Sequence, residues 1–132
     1  MSHVSKTTKK DHLGVVRSAN EAPKEIIRQG SATQRELLIS AKDGASNFSM
    51  RRFTMGVNGG IPMHTNTVEH QQYVLRGKAR VGVGEDVYTV KADDVLYIPA
   101  GTPHFYEVLE APFEFLCVVP NAPDKIRILD RS

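Results

Sequence analysis

The sequence is poor in the features that mark several common classes of protein. It has one cysteine, Cys117, and no tryptophan, so neither an internal disulfide nor a cysteine-rich zinc site is expected. No apolar run approaches the roughly 18 residues of a membrane-spanning helix, and the polar N-terminus has no signal-peptide core. The formal charge of +2 over 132 residues gives no reason to expect a nucleic-acid or membrane partner. These absences favour a cytoplasmic protein of one domain.

The first 30 residues have little pattern, and we predict that they form an N-terminal arm. Residues 1–12 are polar and are expected to be mobile. Residues 21–29 fit two structures: a short helical turn with Pro23 near its start, or an edge strand carried to a partner subunit. The folded domain is predicted to cover residues 31–132.

From residue 35 onward the pattern is typical of short β-strands separated by turn-forming residues. The predicted strands cover residues 36–41, 48–57, 71–75, 78–83, 87–90, 95–98, 104–109, 113–119 and 124–129. The chain is expected to break at residues 58–60, to turn at residues 76–77, and to form a hairpin at residues 84–86. Close strand spacing without helical periodicity indicates an all-β sandwich or barrel.

Three histidines lie among the predicted strands. Two of the five histidines fall in the N-terminal arm, and the other three are His64, His70 and His104. Neutral imidazole is the commonest protein ligand for first-row transition metals. Asn66 is two residues from His64 and therefore shares its strand face. We predict that the three histidines hold one metal ion inside a small barrel.

Two motifs around these histidines resemble those of the cupin family, whose members are small jelly-roll β-barrels. The first motif is a His-x-His pair, a further ligand and a closing glycine, and here it reads His64, Asn66, His70 and Gly77. The second motif reads Pro-Ala-Gly-Thr-Pro-His at residues 99–104. The resemblance covers residues 35–120 and is greatest to small single-domain manganese cupins with four histidine ligands. It implies a double-stranded β-helix with one mononuclear metal site.

The chain departs from the first motif at a position that matters for chemistry. Asn66 stands where the family has a second histidine, and an amide oxygen is the weaker ligand for a transition metal. Three histidines with open positions suit a catalytic metal, whereas an empty barrel is the alternative interpretation. Glu69 is adjacent, but a strand that turns His70 inward turns Glu69 outward. The ion is expected to be manganese or iron, with zinc, nickel or copper as alternatives.

The surroundings of the metal follow from strand alternation and from the resemblance. Alternation from His70 and His104 turns Gln72 and Tyr106 inward, and the resemblance places Arg51 beside them. These three are the predicted catalytic residues, and Arg51 suits a substrate carboxylate. The resemblance also implies a mostly apolar pocket formed by Phe53, Phe115, Cys117 and Val119. Each of these four has a plainer interpretation as a core residue.

The resemblance implies an oxidoreductase, dioxygenase-like, that brings dioxygen and a small organic substrate together at the metal. Two alternatives stay open. One is a non-redox lyase or isomerase, in which the ion acts as a Lewis acid or activates water. The other is a non-enzymatic binder of a metal or a small molecule. A homodimer is also expected from the resemblance and from the need to cover sheet edges.

Overall fold

A computed structural model describes residues 14–129, and its regular structure is almost entirely β. The strands are β1 (Lys24–Ile26), β2 (Ser31–Ile39), β3 (Phe48–Asn66), β4 (His70–Val83), β5 (Asp86–Lys91), β6 (Val95–Ile98), β7 (His104–Pro120) and β8 (Ile126–Ile128). Single 3-10 turns lie at Ala19–Glu21 and Ala41–Asp43. Within residues 14–129, no helix is long and apolar enough to cross a membrane. The segment 1–12, expected to be mobile, lies outside the described residues.

The strands form one antiparallel sheet that folds over on itself as a jelly roll. Its order is β1-β2-β3-β7-β4-β5, with β6 paired to β4 and β8 paired to β3. The long strand β7 lies between the other two long strands and pairs with β3 on one side and with β4 on the other, along both halves of its length. The sheet therefore consists of two layers that share these three strands.

We call the two layers wall A and wall B. Wall A contains β1, β2, β6, residues 48–55 of β3, residues 70–74 of β4 and residues 113–120 of β7. Wall B contains β5, β8, residues 60–66 of β3, residues 78–83 of β4 and residues 104–110 of β7. The core lies between the two walls.

Glycines mark the bends at which the long strands pass from one wall to the other. Gly60 and Gly77 have φ values of 152° and 84°, and a Cβ on Gly77 would lie 2.2 Å from the carbonyl oxygen of Pro112. Only glycine fits such a position. The predicted break at residues 58–60 and the predicted turn at residues 76–77 are therefore wrong as strand ends. Each is an irregularity inside a longer strand, as bulges in bent sheets are.

The predicted alternation is present along β4. Gln72 and Val74 are buried, whereas Tyr73 and Leu75 are 43% and 37% exposed. Most of the buried side chains are apolar and form a single cluster between the walls. A group of polar side chains is buried with them: Thr33, Glu36, Arg51, His64, Asn66, His70, Gln72 and His104. Buried polar groups of this number need partners or a ligand.

The last part of the N-terminal arm adds a strand to its own sheet. β1 pairs antiparallel with β2, and Ile26 lies opposite Gln34. The helical turn considered for residues 21–29 is therefore wrong. The edge-strand alternative is closer, although β1 pairs within its own chain. The boundary between arm and domain at residue 30 stays a prediction.

Candidate functional site

A cavity of about 290 Å³ lies between the walls. Nine of the residues selected from the sequence line it: Arg51, Phe53, His64, Asn66, His70, Gln72, His104, Tyr106 and Phe115. Residues 25–29 and Asp124 also line it, and most of residues 25–29 are exposed to solvent. The cavity therefore has a buried polar end and a rim supplied by the N-terminal arm.

His64 and His104 lie opposite each other on neighbouring strands of wall B, with ring centroids 4.0 Å apart. Each ring is held by a carbonyl two residues earlier in its own chain segment. Nδ1 of His64 lies 2.7 Å from the oxygen of Pro62, and Nδ1 of His104 lies 2.9 Å from the oxygen of Thr102. Because a carbonyl only accepts, Nδ1 carries the proton in both rings. Nε2 of each ring is then the atom with a free lone pair.

Three buried acceptors at this site have no hydrogen-bond partner within residues 14–129. They are Nε2 of His104, Oδ1 of Asn66 and Oε1 of Gln72. Burial lowers the pKa of His64, and burial with the neighbouring His64 lowers the pKa of His104 to about 3. Both imidazoles are therefore neutral at neutral pH. Neutral imidazole is the form that binds transition metals.

His70 is held on wall A by different groups. Its Nε2 lies 3.3 Å from Oδ2 of Asp124, and its Nδ1 lies 3.5 Å from Sγ of Cys117. Burial alone would lower the pKa of His70, but the contacts with Asp124 and Cys117 outweigh it and raise the pKa. The contact with Asp124 is an ion pair when His70 is protonated. The ring centroid of His70 lies 6.1 Å from that of His104.

Asp124 is a site residue that sequence analysis missed. Its carboxylate accepts hydrogen bonds from Nδ2 of Asn66 at 3.2 Å and from Nη1 of Arg51 at 3.4 Å. Burial acts to raise the pKa of Asp124, but His70 and Arg51 hold it below the usual value. The carboxylate is therefore ionised at neutral pH. Asp124 lies beyond residue 120 and belongs to neither motif, so no local signal marks it.

The segment that carries Asp124 is tied across the end of β3. Oγ1 of Thr67 donates to the carbonyl of Pro123 and accepts from the backbone N–H of Lys125. β8 then pairs with residues 64–66 of β3. It is shorter than the strand predicted for residues 124–129. These contacts fix the chain on both sides of Asp124.

The three predicted catalytic residues lie in one hydrogen-bonded region. Nε2 of Gln72 donates to Oη of Tyr106 at 2.7 Å, which leaves the phenol proton available to a ligand. Burial raises the pKa of Tyr106, so the group stays a neutral donor. Nη2 of Arg51 contacts Sγ of Cys117 at 3.5 Å, and its buried Nε has no partner within the described chain.

The apolar part of the cavity is a stack of three rings. The centroids of Phe53 and Phe115 are 5.0 Å apart at an interplanar angle of 8°, and those of Tyr106 and Phe115 are 5.2 Å apart at 16°. Cys117 and Val119, which were predicted to form the pocket, are buried too, but they are not among the residues that line the cavity. Near-parallel rings of this kind suit a flat ligand.

The carboxylate next to His70 in the sequence faces away from the cavity. Glu69 is exposed and accepts a hydrogen bond from Oη of Tyr97 at 3.1 Å. Within residues 14–129, no three His, Cys, Asp or Glu side chains already have the spacing of a metal site. His70 is paired with Asp124 instead. The donor types and the unpartnered acceptors of His104 and Asn66 fit a metal ion, but the hydrogen bond from His70 to Asp124 must rearrange for His70 to bind it.

Comparison with known proteins identifies relatives of this fold. Residues 51–119 match the Cupin_2 family of cupin domains. The polyketide cyclase RemF from Streptomyces resistomycificus is 26% identical with a TM-score of 0.81, over 91% of this chain and 88% of that one. A cupin-2 domain protein from Rhodospirillum rubrum is 24% identical with a TM-score of 0.71, over 89% and 81%. A predicted oxalate decarboxylase from Thermotoga maritima is 21% identical with a TM-score of 0.71, over 82% and 100%. No curated protein matches the sequence.

Proposed function

The chain belongs to the cupin domain family, and we propose that it is a metal-dependent enzyme acting on a small, flat, oxygen-bearing organic substrate without net oxidation. The observation that carries this proposal is that two of the three unpartnered buried acceptors in the cavity, Nε2 of His104 and Oδ1 of Asn66, belong to the predicted metal ligands. Buried polar atoms without partners are rare in native proteins. Two of them beside further histidines in one cavity are explained by a bound metal ion.

His64, His70 and His104 would hold the ion, with Asn66 as a weaker fourth ligand. Manganese or iron is the first expectation, and zinc, nickel or copper are alternatives. When bound, the ion supplies Lewis acidity toward a carbonyl oxygen. The rings of His64 and His104 already carry the proton on Nδ1, so neither needs to change its tautomer.

The remaining side chains supply substrate contacts. Tyr106 is a neutral phenol whose oxygen already accepts from Gln72, so its proton is free to bind a substrate oxygen. Arg51 is a buried cation with an unpartnered Nε, which suits an enolate or a carboxylate. The rings of Phe53 and Phe115 would pack against the flat part of the substrate and exclude water.

Carbonyl chemistry of the cyclase type fits these contacts best. In such a reaction a carbon next to a carbonyl loses a proton and attacks a second carbonyl, and water leaves without any change of oxidation state overall. The polyketide cyclase from Streptomyces resistomycificus covers nearly the whole chain, which supports this class. Stacked rings along the cavity suit the flat ring that such a closure forms.

The dioxygenase-like activity expected from the sequence is the second candidate. The observation that favours it is that the two motifs supply three imidazoles and no carboxylate. Such a set leaves open positions on the ion for dioxygen and substrate. The apolar lining beside them would also accept dioxygen. The two candidates differ in the product they form.

Metal analysis combined with product mass tests both candidates. Protein purified without added metal is analysed for its elements, loaded with Mn²⁺ or Fe²⁺, and incubated with and without dioxygen with aryl-substituted 1,5-diketones, whose closure gives a six-membered ring. We expect about one ion per chain and a product that has the substrate mass, or that mass less one water, in both atmospheres. Tyr106→Phe is the matched control and should slow turnover while keeping the metal.

Two outcomes would contradict the proposal. A product that gains two oxygen atoms, formed only with dioxygen, would establish the second candidate instead. Protein that contains no metal and takes up none on titration would refute both.

A further inference from the structure

We infer that Asp124 is itself a metal ligand, delivered by the segment before β8, and that it compensates for the amide at position 66. The inference rests on the proposed function, because it requires an ion held by the histidines. It assigns to the site a carboxylate that neither motif contains. Spacing, orientation and charge each support it.

The spacing of Asp124 and His70 is that of two ligands on one ion. Oδ2 of Asp124 lies 3.3 Å from Nε2 of His70. Two ligand atoms held about 2.1 Å from an ion at right angles to each other are about 3 Å apart. The distance between Oδ2 of Asp124 and Nε2 of His70 is therefore close to the distance expected when both atoms bind the same ion.

The second oxygen of Asp124 is already oriented. Oδ1 accepts from Nδ2 of Asn66 at 3.2 Å, and carboxylates that bind metals are commonly fixed by such a hydrogen bond to a neighbouring group. The ties from Thr67 to the residues on either side of Asp124 fix the backbone as well. Asn66 thus positions a stronger ligand than its own amide oxygen.

The charge of the site also calls for a carboxylate. Three neutral imidazoles leave the full charge of a divalent ion in the cavity, next to a guanidinium from Arg51 that is only 5% exposed. Burying two cations side by side is costly unless an anion lies with them. Oδ2 of Asp124 lies 3.4 Å from Nη1 of Arg51, so this carboxylate can offset both charges.

The alternative is that Asp124 serves only as the ion-pair partner of Arg51. Asp124→Asn and Arg51→Met distinguish the two roles, because both break this ion pair but only the first removes the carboxylate. Binding of Mn²⁺ is measured by calorimetry, and the number of waters on the ion is measured by water-proton relaxation. Thermal melts confirm that each variant is folded.

We expect Asp124→Asn to weaken Mn²⁺ binding by at least about tenfold and to add one water to the ion, whereas Arg51→Met binds Mn²⁺ at least as tightly as the wild type. Weakening below tenfold, an unchanged water count, or an equal loss in Arg51→Met would overturn the inference. Wild-type protein that binds no Mn²⁺ would instead refute the proposed function, and the inference with it.

A double variant keeps the test decisive if Asp124→Asn is poorly folded. Asn66→His combined with Asp124→Asn returns a strong ligand at position 66 while the carboxylate stays absent. We expect it to recover at least about tenfold of the lost affinity. A double variant no better than Asp124→Asn would show that the two positions do not compensate for each other.

Discussion

The histidines of the two walls are prepared for a metal in different ways. On wall B, His64 and His104 are each fixed by a carbonyl of their own segment and are neutral. On wall A, His70 is held at longer distances by Asp124 and Cys117, which come from remote parts of the chain and raise its pKa. One half of the site is preformed locally, and the other half is assembled by the tertiary fold.

This difference between the walls shows which histidines must rearrange before they can bind a metal ion. A ring whose tautomer is fixed by a backbone carbonyl needs no rearrangement to offer Nε2. Because the pKa of His70 is raised, protonation competes with metal binding at a higher pH for His70 than for the wall B histidines, so its contribution depends on pH and on Asp124. Loss of a wall B histidine and loss of a His70 partner should therefore have unequal effects.

The largest effect is expected from removing the histidines themselves. His64→Ala, His70→Ala and His104→Ala should each abolish stoichiometric metal, because two remaining imidazoles do not hold a divalent ion tightly. Elemental analysis of each purified variant is the measurement. A variant that retains one ion per chain would remove its histidine from the site.

Acid should destabilise wall B in the metal-free protein. His104 takes up a proton at its ordinary pKa of 6.5 when unfolded but only near 3 when folded, so the unfolded state binds more protons between these values. The free energy of unfolding should therefore decrease as the pH is lowered through this window, by up to about 1.4 kcal/mol per pH unit. Urea melts of the wild type and of His104→Gln at several pH values measure this slope.

In the same experiment, the contribution of His70 to the free energy of unfolding changes with pH in the opposite direction. Its pKa is raised in the folded state, so its stabilising effect is complete below the unfolded pKa and is lost as pH rises through the folded one. The pKa of Asp124 is lowered in the folded state, so its stabilising effect is present above the ordinary value of 3.8 and is lost only as the pH falls below that value. His104→Gln should therefore have the shallower slope above about pH 5. Equal slopes in the wild type and in His104→Gln would show that the lowered pKa of His104 is not the cause of the acid destabilisation.

A smaller effect is expected on wall A when Cys117 is changed. Cys117→Ala removes the group beside Nδ1 of His70, so the ring loses its orientation and metal affinity should fall by about tenfold. Cys117→Ser is the matched control, since its hydroxyl retains a hydrogen bond. Calorimetric titration with Mn²⁺ compares the three proteins. Unchanged affinity in Cys117→Ala would mean that Asp124 alone positions His70.

The smallest effect is expected from Asn66→His. The new imidazole adds a strong ligand but removes the hydrogen bond that Asn66 donates to Asp124, so the two changes partly cancel. We expect tighter Mn²⁺ binding by less than about tenfold. The same titration measures it, and weaker or unchanged binding would contradict this expectation.

Strand periodicity predicted two of the residues that line the cavity beside the histidines, and the family resemblance supplied Arg51, Phe53 and Phe115. Along a strand buried on one face, side chains alternate, and this rule places Gln72 and Tyr106 beside the histidines. The bends could not be separated from strand ends in the same way. Gly60 and Gly77 are equally typical of turns and of irregularities inside a bent strand, and only the pairing of β3, β4 and β7 shows which applies.

Asp124 lay beyond what local patterns could reveal. Its partners are 54, 58 and 73 residues away in the sequence, at His70, Asn66 and Arg51. Its place depends on how the segment before β8 crosses the end of β3. A polar residue after a proline has many roles, so nothing in its neighbourhood marks it as part of a site.

The sharing of β3, β4 and β7 by both walls has a consequence for ligand exchange. The walls cannot swing apart as two halves of a hinge, because three continuous strands would have to unpair. Access to the cavity must come from its rim, where β1 and β8 are each held by only three residue pairs. We expect amide hydrogen exchange to be fastest in these two strands, and equal protection across the sheet would contradict this. In this account the two walls stay rigid, and the opening of β1 and β8 at the rim sets the rate at which a ligand enters or leaves the cavity.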